Sequence, residues 1–219
     1  GQDPYFESVP GHPHVAQVKR EADETSSIFA DNFHSDWSFL ASPPAATLLY
    51  GDIIPPVGGD TEFADLRLAY DALPAWQKKQ IEGLVAKHHA LHSRFMLGDT
   101  HYTQEQRDAI APSQWPLVQT DPRTGRKILF VGVHACEILG MTVAEGRMLI
   151  MDLIEHATQP AFVYRHRWGP GDLVMWDNLA TIHARDEASA DAAAWRGGGE
   201  KGSTGRPVPM LLQYLINQA

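Results

Sequence analysis

Two residues with metal-binding side chains, His34 and Asp36, lie two positions apart in the segment NFHSDWSFLASPP, residues 32–44. If this segment is an extended strand, both side chains lie on one face, because side chains alternate along β structure. The pair is then either a surface coincidence or part of a metal site that takes its next ligand from a distant part of the chain. His183, in the segment ATIHAR at 180–185, is a candidate for that ligand.

Two histidines and one aspartate form the ligand set of non-haem Fe(II) oxygenases. The set covers one face of an octahedral ion and leaves three coordination positions for oxidant and substrates. A structural zinc site closes all of its positions, usually with cysteines, and this chain has one cysteine, Cys136. On residue types alone, a surface His-x-Asp pair and a lone polar histidine on a strand are the simpler interpretation.

The composition is typical of one folded domain whose main partner is neither nucleic acid nor membrane. The 219 residues are 43% hydrophobic, which suits a single substantial core. The net charge of −9 argues against nucleic acid or an anionic membrane as the main partner. One cysteine allows no intramolecular disulfide and fits a reducing cytoplasm, and no apolar run approaches the length of a membrane span. We therefore expect a cytoplasmic protein, and the sequence leaves a homo-oligomer open.

Short strand patterns, separated by turn residues, alternate with a few helical patterns. Apolar spacing predicts helices at 61–74, with Thr61 as a candidate N-cap, at 74–84 and at 142–158. The segment 94–114 has weak periodicity and is predicted to be a surface excursion or a lid. Strands are predicted at 15–19, 46–56, 85–93, 115–120, 127–132, 161–168, 172–178, 180–185 and 208–216. This order predicts a mainly β fold with inserted helices, a double-stranded β-helix (jelly roll, cupin-like).

Several longer motifs occur in an informative order: FHSDWSF at 33–39, PPVGGDTEFAD at 55–65, LVQTDPRTGRKILFVGVHA at 117–135 and HATQPAFVYRHRWGPGDLVMWDN at 156–178, followed by ATIHAR. With these motifs the chain resembles the taurine dioxygenase/2,4-dichlorophenoxyacetate dioxygenase family (TauD/TfdA) of Fe(II)- and 2-oxoglutarate-dependent oxygenases. The resemblance begins near Phe6, and its middle stretches are closer to the phenoxyacetate branch. Family members usually carry a longer region before the His-x-Asp motif. Residues 1–219 are therefore expected to be a single dioxygenase domain that lacks part of the usual N-terminal region.

The resemblance implies roles for individual residues. His34, Asp36 and His183 would be the iron ligands. Thr61 would contact a carboxylate of 2-oxoglutarate through its hydroxyl, with the helix N-cap as the alternative role. Trp176 would pack close to the metal, with an ordinary core tryptophan as the alternative.

For two further pairs of residues, the sequence favours a structural role over a functional one. Asp177 and Asn178, at the end of a predicted strand, are expected to be turn formers rather than catalysts. His88 and His89 lie in KHHALHSRF at 87–95, a stretch that the resemblance places near the substrate pocket. For each of these two histidines, a solvated polar strand is the preferred interpretation.

The family also uses an arginine downstream of the second histidine, which binds the far carboxylate of 2-oxoglutarate with two hydrogen bonds. Arg196 has a suitable spacing from His183, but it lies at the start of a Gly-rich loop. The last predicted strand, where the family arginine normally lies, has Leu212 or Gln213 at the expected place, and Arg206 lies just before it. The choice between Arg196 and Arg206 stays open.

The resemblance implies an enzyme that uses Fe(II), 2-oxoglutarate and O2 to hydroxylate a small organic acid and releases succinate and CO2. A sulfonate, a sulfate ester or an aryloxyalkanoate would suit this role, because hydroxylation next to the heteroatom would break the molecule. Two alternatives stay open: a catalytically silent jelly-roll protein that binds a metal or a small acid, and a metal-dependent enzyme of similar fold that does not use 2-oxoglutarate. Succinate formation separates the first reading from both alternatives.

Overall fold

The computed structural model of the chain describes residues 8–19, 29–54, 58–96, 98, 101–104, 107, 110–185 and 210–216. Within these ranges the fold is mainly β with a few helices, as predicted. The helices are α1 (Leu66–Ala72), α2 (Ala75–Ile81), α3 (Ala90–Met96) and α4 (Val143–Ala157), with a short 3-10 helix at Phe29–Asp31. The strands are β1 (Ser8–Val9), β2 (His12–Lys19), β3 (Ala46–Ile53), β4 (Thr61–Asp65), β5 (Val85–His88), β6 (Ser113–Pro116), β7 (Val118–Thr120), β8 (Lys127–Leu129), β9 (Ala135–Ile138), β10 (Val163–His166), β11 (Leu173–Asp177), β12 (Thr181–Arg185) and β13 (Met210–Ile216).

The strands that position the candidate site lie in two antiparallel sheets. A five-stranded sheet has the order β1-β2-β13-β3-β11, and a three-stranded sheet has the order β10-β4-β12. A second three-stranded sheet has the order β6-β5-β9, and β7 and β8 form a two-stranded sheet. Strands that are distant in the sequence are therefore neighbours: β11 pairs with β3, and β12 pairs with β4. This pairing brings residues near position 180 beside residues 46–50 and 61–65.

The main hydrophobic core anchors the strand that carries His183. Helix α1 contacts β8, and helix α4 contacts β9. Leu66, Leu129, Leu153 and Ile182 are fully buried members of one apolar cluster between these elements. Because Ile182 directly precedes His183 and side chains alternate along a strand, burial of Ile182 in the core turns His183 to the opposite face of β12.

Helix α4 confirms the helix predicted at 142–158. It begins at a capping box, in which the Thr142 hydroxyl accepts a hydrogen bond from the Glu145 N–H and the Glu145 carboxylate accepts one from the Thr142 N–H. Its buried positions recur every three or four residues, as expected for an amphipathic helix: Gly146, Leu149, Ile150, Leu153 and Ala157. No helix in the described part of the chain has the length and apolar character needed to cross a membrane.

Two local predictions near the site are wrong. Thr61 is not the N-cap of a helix at 61–74, because it begins strand β4; the cap of α1 is Asp65, whose Oδ1 accepts hydrogen bonds from the N–H groups of Arg67 and Leu68. The strand predicted at 85–93 ends at His88, and α3 follows it. The chain turns there because the Nδ1 of His89 accepts a hydrogen bond from the Leu91 N–H at 3.0 Å, which favours a turn over a continued ladder.

The segment of His34 and Asp36 is not a strand. His34 forms an isolated antiparallel bridge with His183, and a turn follows in which the Leu40 N–H bonds the Trp37 carbonyl at 2.9 Å. Trp37 has a φ of +49°, a left-handed conformation that is costly for a residue other than glycine. The Asp36 N–H bonds a side chain, that of Asn178, at 2.8 Å, so the segment leaves the sheet immediately after one bridging residue.

We expect Thr142→Ala to destabilise the protein by about 1 kcal/mol, because it removes the hydroxyl that satisfies the Glu145 N–H at the start of α4. The measurement is urea unfolding followed by circular dichroism at matched protein concentration. Thr142→Ser is the matched control, since it retains the hydroxyl and should unfold close to wild type. Equal midpoints for the alanine variant and wild type would show that the capping box does not stabilise α4.

Candidate metal centre

The two candidate histidines are joined through their backbones. The His34 N–H donates to the His183 carbonyl at 3.0 Å, and the His183 N–H donates to the His34 carbonyl at 2.8 Å. Residues that pair in this way across an antiparallel bridge present their side chains on the same face. Their imidazole rings accordingly lie 4.3 Å apart, centre to centre.

Asp36 completes a three-residue cluster with these rings. Its Oδ1 lies 3.7 Å from Nε2 of His34 and 3.8 Å from Nε2 of His183. The three side chains are buried, and their ligand atoms all lie within 4.8 Å of one another. Metal bonds of about 2.1 Å at right angles would separate the ligand atoms by roughly 3 Å, so small side-chain movements bring all three onto one ion. The set fits a divalent ion with three remaining coordination positions.

The hydrogen bonds of His34 prepare Nε2 as the metal-binding atom. Nδ1 of His34 lies 2.8 Å from the carbonyl oxygen of Asn32. A carbonyl oxygen can only accept, so Nδ1 carries the proton and Nε2 presents its lone pair toward Asp36 and His183. Metal-binding histidines commonly donate their second nitrogen to a carbonyl or a carboxylate.

His183 is held in its neutral form. Burial lowers the pKa of His183 well below its ordinary value, and the neighbouring His34 and His134 lower this pKa further. A neutral imidazole is the form that binds a metal. Nδ1 of His183 is buried and has no hydrogen-bond partner among the described residues, which leaves Nε2, on the Asp36 side, as the nitrogen of the cluster.

A hydrogen bond from Thr47 orients the Asp36 carboxylate. The Thr47 hydroxyl, from β3, donates to Oδ2 of Asp36 at 2.6 Å. This bond occupies Oδ2 and leaves Oδ1 facing the two imidazoles. Thr47 is fully buried, so the bond is shielded from water and strengthened by its low-dielectric surroundings.

Asn178 holds the backbone of Asp36 in place. Its Oδ1 accepts from the Asp36 N–H at 2.8 Å, and its Nδ2 donates to the carbonyl oxygens of Asp36 and Pro44 at 2.9 and 3.0 Å. The Ser35 hydroxyl also donates to the Asn178 carbonyl. Asn178 is fully buried. Although it does lie in a turn as predicted, it also positions a candidate ligand, which was not foreseen from the sequence.

Asp177 stabilises that same turn and is not part of the cluster. Its Oδ1 accepts from the N–H groups of Leu179 and Ala180, both at 3.2 Å. Its Oδ2 binds Arg123 at 2.7 Å and lies 3.6 Å from Arg67. The turn prediction for Asp177 is therefore confirmed.

Trp176 and Thr61 both lie on the His183 side of the cluster. The Trp176 ring lies 4.7 Å from the His183 ring and 5.1 Å from the Phe63 ring, so Trp176 packs against one of the three cluster residues. Thr61 is two residues from Phe63, which pairs with His183, so Thr61 and Phe63 face the same side of β4. The Thr61 hydroxyl accepts a hydrogen bond from Nε1 of Trp168 at 2.9 Å, and its own O–H remains a donor.

The two candidate arginines, Arg196 and Arg206, lie outside the described residues. The structure therefore does not distinguish between them. Leu212 and Gln213, which occupy the place where the family arginine is expected, lie in β13. This strand pairs with β2 and β3.

Two more buried histidines lie on the His34 side of the cluster. The His134 ring lies 6.0 Å from the His34 ring, edge to face. His88 is 1% exposed and stacks on Phe130, so the prediction of a solvated His88 is wrong; His89 is half-buried. Burial lowers the pKa of His88 from 6.5 to about 4. His134 was not singled out in the sequence, because a lone histidine in the motif VGVHA carries no spacing signal.

Comparison with known proteins finds a family whose model matches most of the chain. Residues 1–196 match the model of the family described as taurine catabolism dioxygenase TauD, TfdA family. The chain is 54% identical over 167 residues to the alpha-ketoglutarate-dependent 2,4-dichlorophenoxyacetate dioxygenase of Cupriavidus pinatubonensis, a match that covers 76% of this chain and 58% of the relative. It is 31% identical over 173 residues to an alkylsulfatase of Acinetobacter baylyi, covering 74% of this chain and 54% of the relative.

A solved structure is also similar. The crystal structure of AAD-2 in complex with Mn(II) and N-oxalylglycine superposes with a TM-score of 0.75 at 40% sequence identity, covering 87% of this chain and 61% of that chain. The chain thus spans a little more than half of the length of the curated relatives it matches, 58% and 54% for the two named here. His34, Asp36 and His183 lie within residues 1–196, which match the family model.

We expect Asn178→Ala to weaken metal binding at least about 10-fold, because the Asp36 segment loses the amide that fixes its backbone. The variant also removes the hydrogen bonds from Asn178 to the Asp36 N–H and to the carbonyls of Asp36 and Pro44, which should cost at least about 2 kcal/mol of stability. Calorimetric titration with Mn(II) and urea unfolding of the metal-free protein measure the two effects.

The matched control for this prediction is Asp177→Asn, in the neighbouring position. It retains the Oδ1 acceptor that bonds Leu179 and Ala180, and the Asp177 carboxylate pairs with Arg123 outside the cluster. Its Mn(II) affinity should equal that of wild type. Unchanged Mn(II) affinity in the Asn178 variant would show that Asp36 is positioned without its help.

Proposed function

Because the chain belongs to the taurine catabolism dioxygenase TauD, TfdA family, we propose that it is an Fe(II)- and 2-oxoglutarate-dependent oxygenase that hydroxylates a small organic acid. The observation that carries this proposal is the buried cluster of His34, Asp36 and His183, with one carboxylate oxygen near both Nε2 atoms. Iron with bound 2-oxoglutarate and O2 supplies the oxidation of a C–H bond to C–OH, as 2-oxoglutarate becomes succinate and CO2.

In this proposal the protein holds the metal and leaves three positions for ligands. The two imidazoles donate through Nε2 and Asp36 through Oδ1, while the Thr47 bond keeps Oδ2 away from the metal. All three ligands are buried. Their burial excludes bulk water from this side of the centre and favours oxidation of the substrate over side reactions.

We assign the His183 side of the centre to 2-oxoglutarate. The Thr61 hydroxyl would donate to one of its carboxylates, since Trp168 already occupies a lone pair of Oγ and leaves the O–H free to turn toward a ligand. Trp176 packs on His183 and would hold that ring in its metal-binding orientation. Arg196 or Arg206 would bind the far carboxylate with two hydrogen bonds.

The relatives favour an aryloxyalkanoate among the small acids. The relative at 54% identity is named a 2,4-dichlorophenoxyacetate dioxygenase, and the more distant one is named an alkylsulfatase. In an aryloxyacetate, hydroxylation of the carbon next to the ether oxygen gives a hemiacetal. The hemiacetal breaks into a phenol and glyoxylate, so one oxidation cleaves the molecule.

Several broader features belong to the same proposal. We propose that the strands form a double-stranded β-helix, or jelly roll, because the two sheets that carry β3, β11, β4 and β12 both contribute residues to one centre and because solved relatives of this family superpose over most of the chain. Residues 1–219 would form one domain that works in the cytoplasm. Nucleic acid and membrane are not proposed as partners, and a homo-oligomer remains compatible with the fold.

The decisive test is an anaerobic titration of the protein with Fe(II) and 2-oxoglutarate, followed by exposure to O2 in the presence of phenoxyacetate. We expect a weak visible charge-transfer band before oxygen is added, and succinate and phenol afterwards. His183→Ala and Asp36→Ala should abolish the band and the products, because each removes one of three ligands. His101→Ala, at an exposed histidine, should behave as wild type.

The other outcomes identify the alternatives. Folded, metal-loaded protein that gives neither band nor succinate would be a silent binding protein. O2 consumption without 2-oxoglutarate would indicate a metal-dependent oxygenase of another class. Succinate without phenol would retain the oxygenase and reject phenoxyacetate as its substrate.

A further inference from the structure

The His34 side of the metal centre has a chemical character different from the His183 side. Its nearest ring is that of His134, which meets the His34 ring edge to face at 6.0 Å and the Phe39 ring at 4.9 Å. Beyond it lies His88, which stacks on Phe130 and has Nδ1 3.0 Å from the Ser38 hydroxyl. One imidazole besides the candidate ligands, that of His134, therefore borders this side.

The position of His134 is fixed by the backbone. The Val133 N–H donates to the Phe33 carbonyl at 3.0 Å, and the His134 carbonyl accepts from the His89 N–H at 2.9 Å. A Cβ at Gly132 would lie 3.5 Å from Cα of His34, an ordinary van der Waals distance, so the Gly132 backbone lies beside the His34 segment. His134 is thus attached on one side to the segment of the candidate ligand and on the other to the end of β5.

His134 presents a polar atom that the described residues leave unsatisfied. The side chain is 8% exposed, and its Nδ1 is buried without a hydrogen-bond partner in the described part of the chain. Burying such an atom is costly unless a ligand or water satisfies it. The Phe39 ring packs against the imidazole, so an apolar wall adjoins this polar atom, as in pockets for small amphipathic ligands.

The groups around His134 are basic. Burial lowers the pKa of His134 well below its ordinary value, and His34, His88, Arg94 and His92 lower it further. Arg94 and His92 come from α3, which follows β5 directly. The guanidinium of Arg94 therefore contributes positive potential at His134, and a ligand that carries negative charge is favoured there.

We propose that His134 is a specificity-determining residue, which donates a hydrogen bond from Nδ1 to the acid group of the substrate on the His34 side of the metal. The proposal rests on the proposed function, and it assigns the two sides of the centre to different ligands. 2-Oxoglutarate takes the side of Thr61, and the substrate acid takes the side of His134, where Arg94 adds favourable charge. The acid is a carboxylate, sulfonate or sulfate next to an apolar body that packs near Phe39.

The test measures binding without turnover, on the full chain loaded with Mn(II) in the presence of 2-oxoglutarate. Calorimetry gives the affinity for phenoxyacetate and for phenoxyethanol, which has the same body without the acid. Wild type should bind phenoxyacetate and bind phenoxyethanol at least about 10-fold more weakly, because a hydrogen bond to a charged group contributes this much.

Three variants separate a hydrogen bond from a packing role. His134→Leu should weaken phenoxyacetate binding by roughly 10- to 100-fold and leave phenoxyethanol binding and Mn(II) affinity close to wild type. His134→Asn places an amide N–H near the position of Nδ1 and should recover most of the affinity. His101→Leu, at an exposed histidine, should match wild type throughout.

Five results would overturn the inference. Wild type that fails to bind phenoxyacetate, or binds phenoxyethanol equally well, does not recognise the acid. A leucine variant with wild-type affinity excludes His134 as the donor, and equal losses in the leucine and asparagine variants point to packing. Loss of Mn(II) binding in the leucine variant would make His134 a structural support of His34. Because the assay needs no O2 or succinate, the inference and the oxygenase proposal can fail separately.

Discussion

The backbone bridge between His34 and His183 is the constraint on which the candidate centre depends. Its two hydrogen bonds join segments that are distant in the sequence, and they bring the imidazoles together without using the side chains. The side chains stay available for a metal. His183 belongs to β12, and its neighbour Ile182 is buried in the main core. Packing of the core therefore restricts the position of this candidate ligand.

Asp36 needs a different support because the chain leaves the sheet directly after the bridge. The Asn178 amide replaces the missing strand partner: it satisfies the Asp36 N–H and carbonyl as a neighbouring backbone would. The turn that follows includes Trp37 at positive φ, a local strain that the surrounding bonds maintain. Asn178, Thr47 and the bridge together determine which carboxylate oxygen faces the imidazoles.

The sequence predicted the elements whose signals are local. The apolar spacing at 142–158 predicted α4, and the Pro/Gly turn between 120 and 127 predicted the β7-β8 hairpin. The prediction at Thr61 failed because threonine favours both helix caps and strands, and only the pairing of β4 with β10 and β12 decides between them. His34, Asp36 and His183 were identified by residue type together with a family resemblance. Neither signal reveals Asn178, because its role depends on Asp36, a residue distant in sequence that the fold brings beside it.

The separation of metal binding from substrate recognition follows from the way these supports are arranged. The ligand cluster is held by backbone bonds, by Thr47 and by Asn178, and none of these groups is His134 or Phe39. His134 meets the His34 ring edge to face, and Phe39 packs against His134. A substitution at position 134 can therefore change the polarity of the proposed substrate side while the cluster keeps its geometry.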